Sequence, residues 1–469
     1  MKTNFAIEKY LMLYMPWILA LLFKSNPQFS FIIAWLGSFL IFYLTLSGWA
    51  KPLPNDLTFG NQLMRPIILV QIIFAGYMCC TSIFFFLDLL GYENFQKTSP
   101  YFLIDQEKLD LTAQCQRYYC LGHAAYVTGV LMFMKYPEKQ KYHVHADKMA
   151  NLVFFLALIT FPVSFLFQKI SGLSQFANQF NALSFMAGTL ALAFAIPQRK
   201  PWNTIICLFL YFSNFYHAFI SGFKEPIIIS ILVLGVFLYP NYKKLVTITF
   251  VPALILLFIF LPRYNSVFRE NAWAEDVDAG EASQIALDAA LNKDSSQPDE
   301  SNWGFLTSRL SEMSMFAQFV KSTPQNIDYY GLTLLKQSAI AVVPRVFWPS
   351  KPITENLVMQ RVYDAGVVHR GSNVSAKPAF VVDAYLSFGG VGVFAFLFLY
   401  GALAQLISIK AEKLFGGYLL GTALIFSGLF QIMWRGLSFE FIINTIFWSY
   451  ISMLIIQKIM VMTNVLKPV

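Results

Sequence analysis

The sequence predicts an all-α polytopic membrane protein with about twelve transmembrane helices and one large extracytoplasmic loop. Three observations carry this. Apolar residues make up 57% of the 469 and charged residues only 13%, too few to coat a soluble chain of this size. Long apolar runs, rich in the 48 Phe, recur at lengths near the ~20 residues that cross a hydrocarbon core. Basic residues collect in alternate connections between these runs, as the positive-inside rule requires.

In chain order the predicted spans are residues 10–23, 28–49, 66–90, 112–134, 149–168, 179–196, 203–220, 226–239, 245–261, 380–409, 414–434 and 441–457. The first, eighth and ninth are short, and the tenth is long enough to include an interfacial turn. No cleavage site follows the first run, so it is expected to stay as a helix. With the N-terminus inside, each inner connection holds at least two basic residues, such as Lys51 with Arg65, Lys135 with Lys139, Lys243 with Lys244 and Lys410 with Lys413. The short outer connections hold few, among them Lys24, Lys97, Lys224 and Arg435. Both termini are therefore expected to be cytoplasmic. This divides the chain into spans 1–261, a loop 262–378 and spans 379–469.

The five cysteines, Cys79, Cys80, Cys115, Cys120 and Cys207, all fall in predicted spans without metal-ligand or disulfide spacing, and read as packing residues. The +8 net charge reflects basic loops; no cationic arm points to nucleic acid.

Within the loop, residues 270–300 are acidic and poor in large apolar residues, which predicts a mobile segment with at most a short helix over 284–291. From Trp303 to Val320 the spacing of Leu306, Leu310, Met313 and Phe316 predicts one amphipathic helix that Thr323-Pro324 ends. Residues 332–343 are apolar but too short to span, which fits a re-entrant or interfacial segment.

Cations mark the outer side: Arg263 and Arg269, then Arg309, Arg345, Lys351, Arg361 and Arg370, with Lys224 and Arg435 in very short outer turns. A charge near lipid costs a few kcal/mol unless it is paired or faces water. Lys224 and Arg435 thus either snorkel to headgroups or line a cationic pocket. Guanidinium forks match phosphate oxygens, so such a pocket would suit an anionic lipid or lipid-linked diphosphate. The most distinctive stretch is Val343-Pro344-Arg345-Val346-Phe347-Trp348-Pro349-Ser350-Lys351-Pro352. Its three prolines forbid a helix and stiffen the backbone. Trp348 suits the membrane interface and equally a sugar ring, between the cations Arg345 and Lys351.

At these residues the chain resembles the bacterial oligosaccharide-repeat-unit polymerases of the O-antigen polymerase type. The shared features keep their order: Ser221-Gly222-Phe223-Lys224 before an Ile/Leu-rich span, Arg263-Tyr264, Leu306-Thr307-Ser308-Arg309, Tyr329-Tyr330-Gly331, the loop from Pro344 to Pro352, Phe388-Gly389-Gly390-Val391-Gly392, and Arg435-Gly436. Together they cover residues 220–450, and the Trp-Pro-Ser-Lys-Pro loop is the most specific. In similar proteins Arg also stands at the positions of Lys224 and Lys351, which fits a role for charge. Arg269 with Gly280 and Arg361 with Gly371 approximate a paired Arg…Gly loop motif of some members.

The resemblance implies a GT-C-like fold in the bacterial inner membrane and glycosyl transfer on its outer face. A glycan on undecaprenyl diphosphate is the donor, and a hydroxyl of a second lipid-linked repeat unit attacks its anomeric carbon. Preorganised cations would stabilise the leaving diphosphate. Arg263, Arg309, Arg345 and Lys351 are expected in that role, with Lys224, Arg435, Trp348, Arg269, Arg370 and Tyr264 binding substrate. Glu312 and His369 are equal candidates for general base, ahead of Asp383. No cofactor or metal is called for. A chain-length regulator and a flippase are the implied partners. An O-antigen ligase is the nearest alternative, and a lipid-linked glycan transporter the next.

Overall fold

The computed structural model describes residues 7–136, 139–144, 146–170, 174–220, 224–274, 277–291, 302–345, 347–371 and 375–469. The chain is 74% helical, and among the described residues the strands are two residues long. Each predicted apolar run falls on helical residues, but 10–23, 66–90 and 414–434 are each divided into shorter helical pieces. Among the described residues five helices are long and apolar enough to cross a membrane: Pro27–Leu46, Leu69–Leu89, Met149–Lys169, Phe380–Leu414 and Phe439–Met462. The pair Lys243–Leu257 and Phe260–Ala272, bent by 42°, passes the same test only when taken together as one span. Pro262, which lacks the N–H for an intrahelical bond, lies just past the bend.

Two compact units divide the chain. One comprises residues 1–58, 64–143 and 306–469, the other 59–63 and 144–305. The loop drawn at 262–378 from sequence is thus shared between them, and its expected start lies inside the helix Lys243–Arg269.

In the first unit the helix Gln106–Phe133 packs along Phe380–Leu414 and against Pro27–Leu46. Glycines set the closeness of the first pair. A Cβ on Gly129 would lie 2.1 Å from the Phe398 carbonyl oxygen, and one on Gly401 would lie 2.0 Å from that of Tyr126. Small residues let membrane helices touch backbone to backbone.

The polar ends of this unit sort into two sets. At one end Arg65, fully buried, forks onto Asp56 (2.7 and 2.6 Å) and onto Glu412 (3.2 and 3.1 Å), with its guanidinium 3.8 Å from the Tyr136 ring centre. The Arg65 partnership holds the Asp56 carboxyl below the usual carboxylate range. Beside Lys413, whose carbonyl accepts from Lys141 N–H, the strand Tyr142–His143 pairs antiparallel with Lys467–Pro468. Lys51 Nζ takes the carbonyls of Leu131 and Met134 at the end of the helix Gln106–Phe133. At the other end Lys321 meets Glu107 at 2.8 Å. The chain folds back at Phe388 and Gly389, so Ala384 meets Gly392 and Phe380 lies against Tyr400, 4.7 Å between ring centres, with the start of Phe439–Met462 beside it, the Phe380 and Phe439 ring centres 4.7 Å apart.

In the second unit the acidic stretch contains the helix Ala279–Leu291, longer than expected. It is ordered because Ala282, Ala286 and Ala289 form a small-residue face against Tyr264, Val267 and Phe268. Residues 292–301 lie outside the described ones.

Candidate functional site

The candidate site is built in the first unit around the segments where the helices Phe380–Leu414 and Phe439–Met462 begin. Its foundation is a break in the first of these. Phe388 and Gly389 leave helical geometry, Gly389 with φ 61° and ψ −142°, a conformation open to glycine. The break strands carbonyls, and two are taken up from outside: Tyr330 N–H donates to Leu386 (2.9 Å) and Gly331 N–H to Ser387 (3.0 Å). A Cβ at Gly389 would also lie 2.9 Å from the Tyr329 hydroxyl. The Tyr-Tyr-Gly turn and the glycine-rich span start are therefore one structural device.

From this turn runs the helix Thr333–Val342, packed against Phe439–Met462. The Trp448 indole donates to the Val342 carbonyl at 2.8 Å. Lys351 then reaches back. Its buried ammonium donates to Ala341 O (3.0 Å) and Val343 O (2.8 Å), closing the helix C-terminus. Burial, and then the nearby Arg345 charge, hold Lys351 below the ordinary lysine range. Two of its three N–H donors are thus committed to the backbone.

The turn between them is framed by its prolines. Phe347 and Trp348 N–H groups both donate to Pro344 O, and Lys351 N–H donates to Trp348 O. Arg345 is exposed and approaches Pro352 O at 3.5 Å, while Trp348 Nε1 donates to Ser350 Oγ at 3.1 Å. Arg345, Trp348 and Lys351 are therefore brought together on one rigid turn.

Next comes the helix Thr354–Asp364, which carries a side chain that sequence reasoning did not single out as central. Arg361 is 2% exposed and forks onto Glu440 at 2.7 and 2.8 Å. It also donates to Asp383 Oδ2 at 2.9 Å. Asp383 accepts from Phe439 N–H at 2.8 Å, so it caps the N-terminus of a helix other than its own. Asp383 is thus tied into a buried triad rather than poised as a base. The available signal was modest: an acidic residue in the first turn of each of two apolar helices.

Of the remaining candidates, Arg370 pairs with Asp364 at 2.7 Å, both in solvent reach, and His369 beside it is exposed. The expected single helix from Trp303 to Val320 is instead two, Asn302–Arg309 and Met313–Ser322. Glu312 stands at the junction with φ 53° and accepts from the Tyr77 hydroxyl at 3.3 Å. Arg309 ends the first of these helices and Glu312 precedes the second, so the two do not lie on one continuous helix. The side chains of Arg309, Arg435 and Lys224 lie outside the described residues.

In the second unit Arg263, Tyr264 and Arg269 share the helix Lys243–Arg269. Tyr264 faces inward, packed near Phe219, Phe260 and Phe268, its hydroxyl 3.3 Å from Phe219 O and 3.0 Å from Ser283 Oγ. Arg263 and Arg269 are partly buried.

No curated protein and no solved structure matches the chain. A family model described as "Domain of unknown function (DUF8712)" matches residues 15–468. The chain, matched over nearly its whole length, belongs to the DUF8712 family.

Proposed function

We propose that this protein is a membrane glycosyltransferase that polymerises lipid-linked oligosaccharide repeat units on the outer face of a bacterial inner membrane. The donor is a glycan on undecaprenyl diphosphate, and the acceptor is a second lipid-linked unit. The observation that carries the reading is the proline-framed turn. It presents an exposed Arg345 beside Trp348 and Lys351, at the end of a helix packed on a membrane-length helix. Fixed cations at such a place favour the charge that develops on a departing diphosphate. They do so without a metal.

In this reading Arg345 contacts the diphosphate. Lys351 adds charge and holds the turn in shape, and Trp348 lies against a sugar or the lipid boundary. Arg309, Arg435, Lys224, Arg263, Arg269 and Arg370 are assigned supporting cationic roles on sequence pattern. Glu312 and His369 stay the candidates for the proton of the attacking hydroxyl. The fold is read as about twelve spans in a GT-C-like arrangement with both termini cytoplasmic. A chain-length regulator and a flippase are the expected partners.

Support for the topology comes from which ends meet. Residues near 56, 65, 136, 141, 412 and 467, all assigned inside, touch one another. Glu107 and Lys321, both assigned outside, do the same.

The test is an electrophoretic glycan profile. Deletion of the gene should leave single repeat units, and Arg345→Ala should fail to restore the ladder while inserting at wild-type levels. Wild-type ladders from that variant would remove the catalytic assignment. Long lipid-linked chains in the deletion strain would indicate a ligase instead.

A further inference from the structure

Arg117 stands apart from the other deeply set guanidinium groups. Arg65 and Arg361 each meet two carboxylates. Arg117 is half-buried on the helix Gln106–Phe133, and among the described residues its hydrogen-bond partner is a neutral one, the Ser30 hydroxyl, 2.8 Å from Nη1. Ser30 is fully buried and donates its own proton to Ala20 O at 2.7 Å, so it turns a lone pair towards Arg117 and orients the guanidinium. No described carboxylate pairs with Arg117. The nearest acid on its own helix, Asp110, is seven residues back, about 10 Å along the axis. Most of the five N–H donors of Arg117 are therefore uncommitted among the described residues.

The place is the rim of the apolar layer, and two membrane-length helices mark it. Pro27–Leu46 has 20 residues, about 30 Å, the thickness of a hydrocarbon core. Leu69–Leu89 has 21. The two end together here, because the Phe31 and Phe86 rings stack with centres 3.9 Å apart and each lies about one turn from its helix end. Ser30 adjoins Phe31, so the Arg117 head sits within about one turn of that common boundary. At the same boundary Leu22, Phe23 and Phe29 are 72%, 45% and 49% exposed, and Lys24 is exposed between them.

A guanidinium at the edge of hydrocarbon, with no acid from its own chain, is unfavourable until an anion joins it. The anion that stands at that level of a bilayer is the phosphate of a lipid. Parallel N–H groups match its oxygens, and apolar neighbours suit its hydrocarbon chains. We propose that Arg117, oriented by Ser30, binds the phosphate of a lipid, with Leu22, Phe23 and Phe29 beside the lipid chains. The phosphate belongs to a bilayer phospholipid or to the acceptor of the reaction proposed above, whose diphosphate stays attached while its hydroxyl attacks. Only the second source rests on the glycosyltransferase reading.

The test is thermal unfolding of delipidated protein in a neutral detergent. Without added lipid, Arg117→Met should melt at or slightly above wild type, since an uncompensated charge gives way to an apolar chain. A drop of many degrees would show a counter-charge inside the protein and overturn the proposal. Phosphatidylglycerol should raise the wild-type midpoint by several degrees more than phosphatidylcholine does. Arg117→Met should lose most of that difference, and Arg117→Lys should keep most of it. The same comparison is made with undecaprenyl diphosphate. Loss with phosphatidylglycerol alone assigns a bilayer lipid, loss with undecaprenyl diphosphate alone assigns the substrate, and loss with both assigns lipid phosphate in general. Loss with neither overturns the proposal. The glycan ladder is a separate readout, so failure here leaves the proposed reaction standing, and a failed ladder leaves the phospholipid result standing.

Discussion

Two buried guanidinium groups, Arg65 and Arg361, tie the first unit together, and each is matched to two carboxylates. Arg361 is the more exacting, because it is buried with Asp383 and Glu440 and almost no solvent reaches the three. Removing only the cation leaves two carboxylates facing each other in the interior. Arg361→Met should therefore cost about 3–5 kcal/mol, read as a large drop in the thermal unfolding midpoint in a fixed detergent. The triple change Arg361→Met/Asp383→Leu/Glu440→Gln should recover most of that loss, since a buried ion cluster is nearly break-even against apolar packing. A triple variant no better than the single would show that the charges themselves stabilise. Arg65 offers a pH readout through Asp56. Its pairing depresses the Asp56 carboxyl, so the contribution is complete above the unfolded value of about 4 and lost as pH falls through the lower folded value. The melting gap between wild type and Asp56→Asn should shrink on going from pH 5 towards pH 3. A gap of constant size across that range would show that the carboxylate's charge is not what Arg65 uses.

Helices were legible in the sequence, but their neighbours were not, because a lipid-facing and a helix-facing residue are equally apolar. The twelve runs located the helices; nothing in them said that Gln106–Phe133 and Phe380–Leu414 touch at Gly129 and Gly401. That contact has its own test. Gly129→Ala or Gly401→Ala places a methyl against backbone carbonyl oxygen that cannot yield, and should cost about 1–3 kcal/mol by overpacking. Gly188→Ala, whose added Cβ would lie 3.8 Å from Leu210 Cβ, should melt within a degree or two of wild type. Equal effects at all three sites would point to a generic glycine effect on helix propensity. Breaks within helices divide the same way. The one at Gly389 was signalled by its glycines, whereas the one at Glu312 was hidden, since glutamate favours helices and only tertiary contacts hold it at positive φ. Proximity of Arg345 to Lys351 was readable because six residues on a proline-stiffened turn cannot stray far. The Arg361 triad was not, because its acidic partners lie 22 and 79 residues away.

For the whole chain the question is how many of the helices cross, and charge and contact give independent answers to it. The alternation of basic connections assigns residues 140, 200, 243, 412 and 468 to the inside, and 97 and 369 to the outside. Contacts within the first unit group 141 with 413 and 468, and group 107 with 321, without reference to charge. The two agree wherever both speak; in the second unit Lys200 bonds Asn151 and Gly60 lies against Tyr239, contacts that do not by themselves fix the count between residues 144 and 305. Reporter fusions settle it. A cytoplasm-active fluorescent reporter should shine when fused after residue 140, 200, 243, 412 or 469 and stay dark after 97 or 369; a periplasm-active phosphatase should give the reverse pattern. Arg199 and Lys200 place two adjacent charges in one short connection, so the fusion after Lys200 is the most sensitive probe of the middle of the chain. If it reports the outside while 140 and 412 report the inside, an odd number of crossings separates 140 from 200, and the twelve-span reading fails there while the contacts of the first unit are untouched.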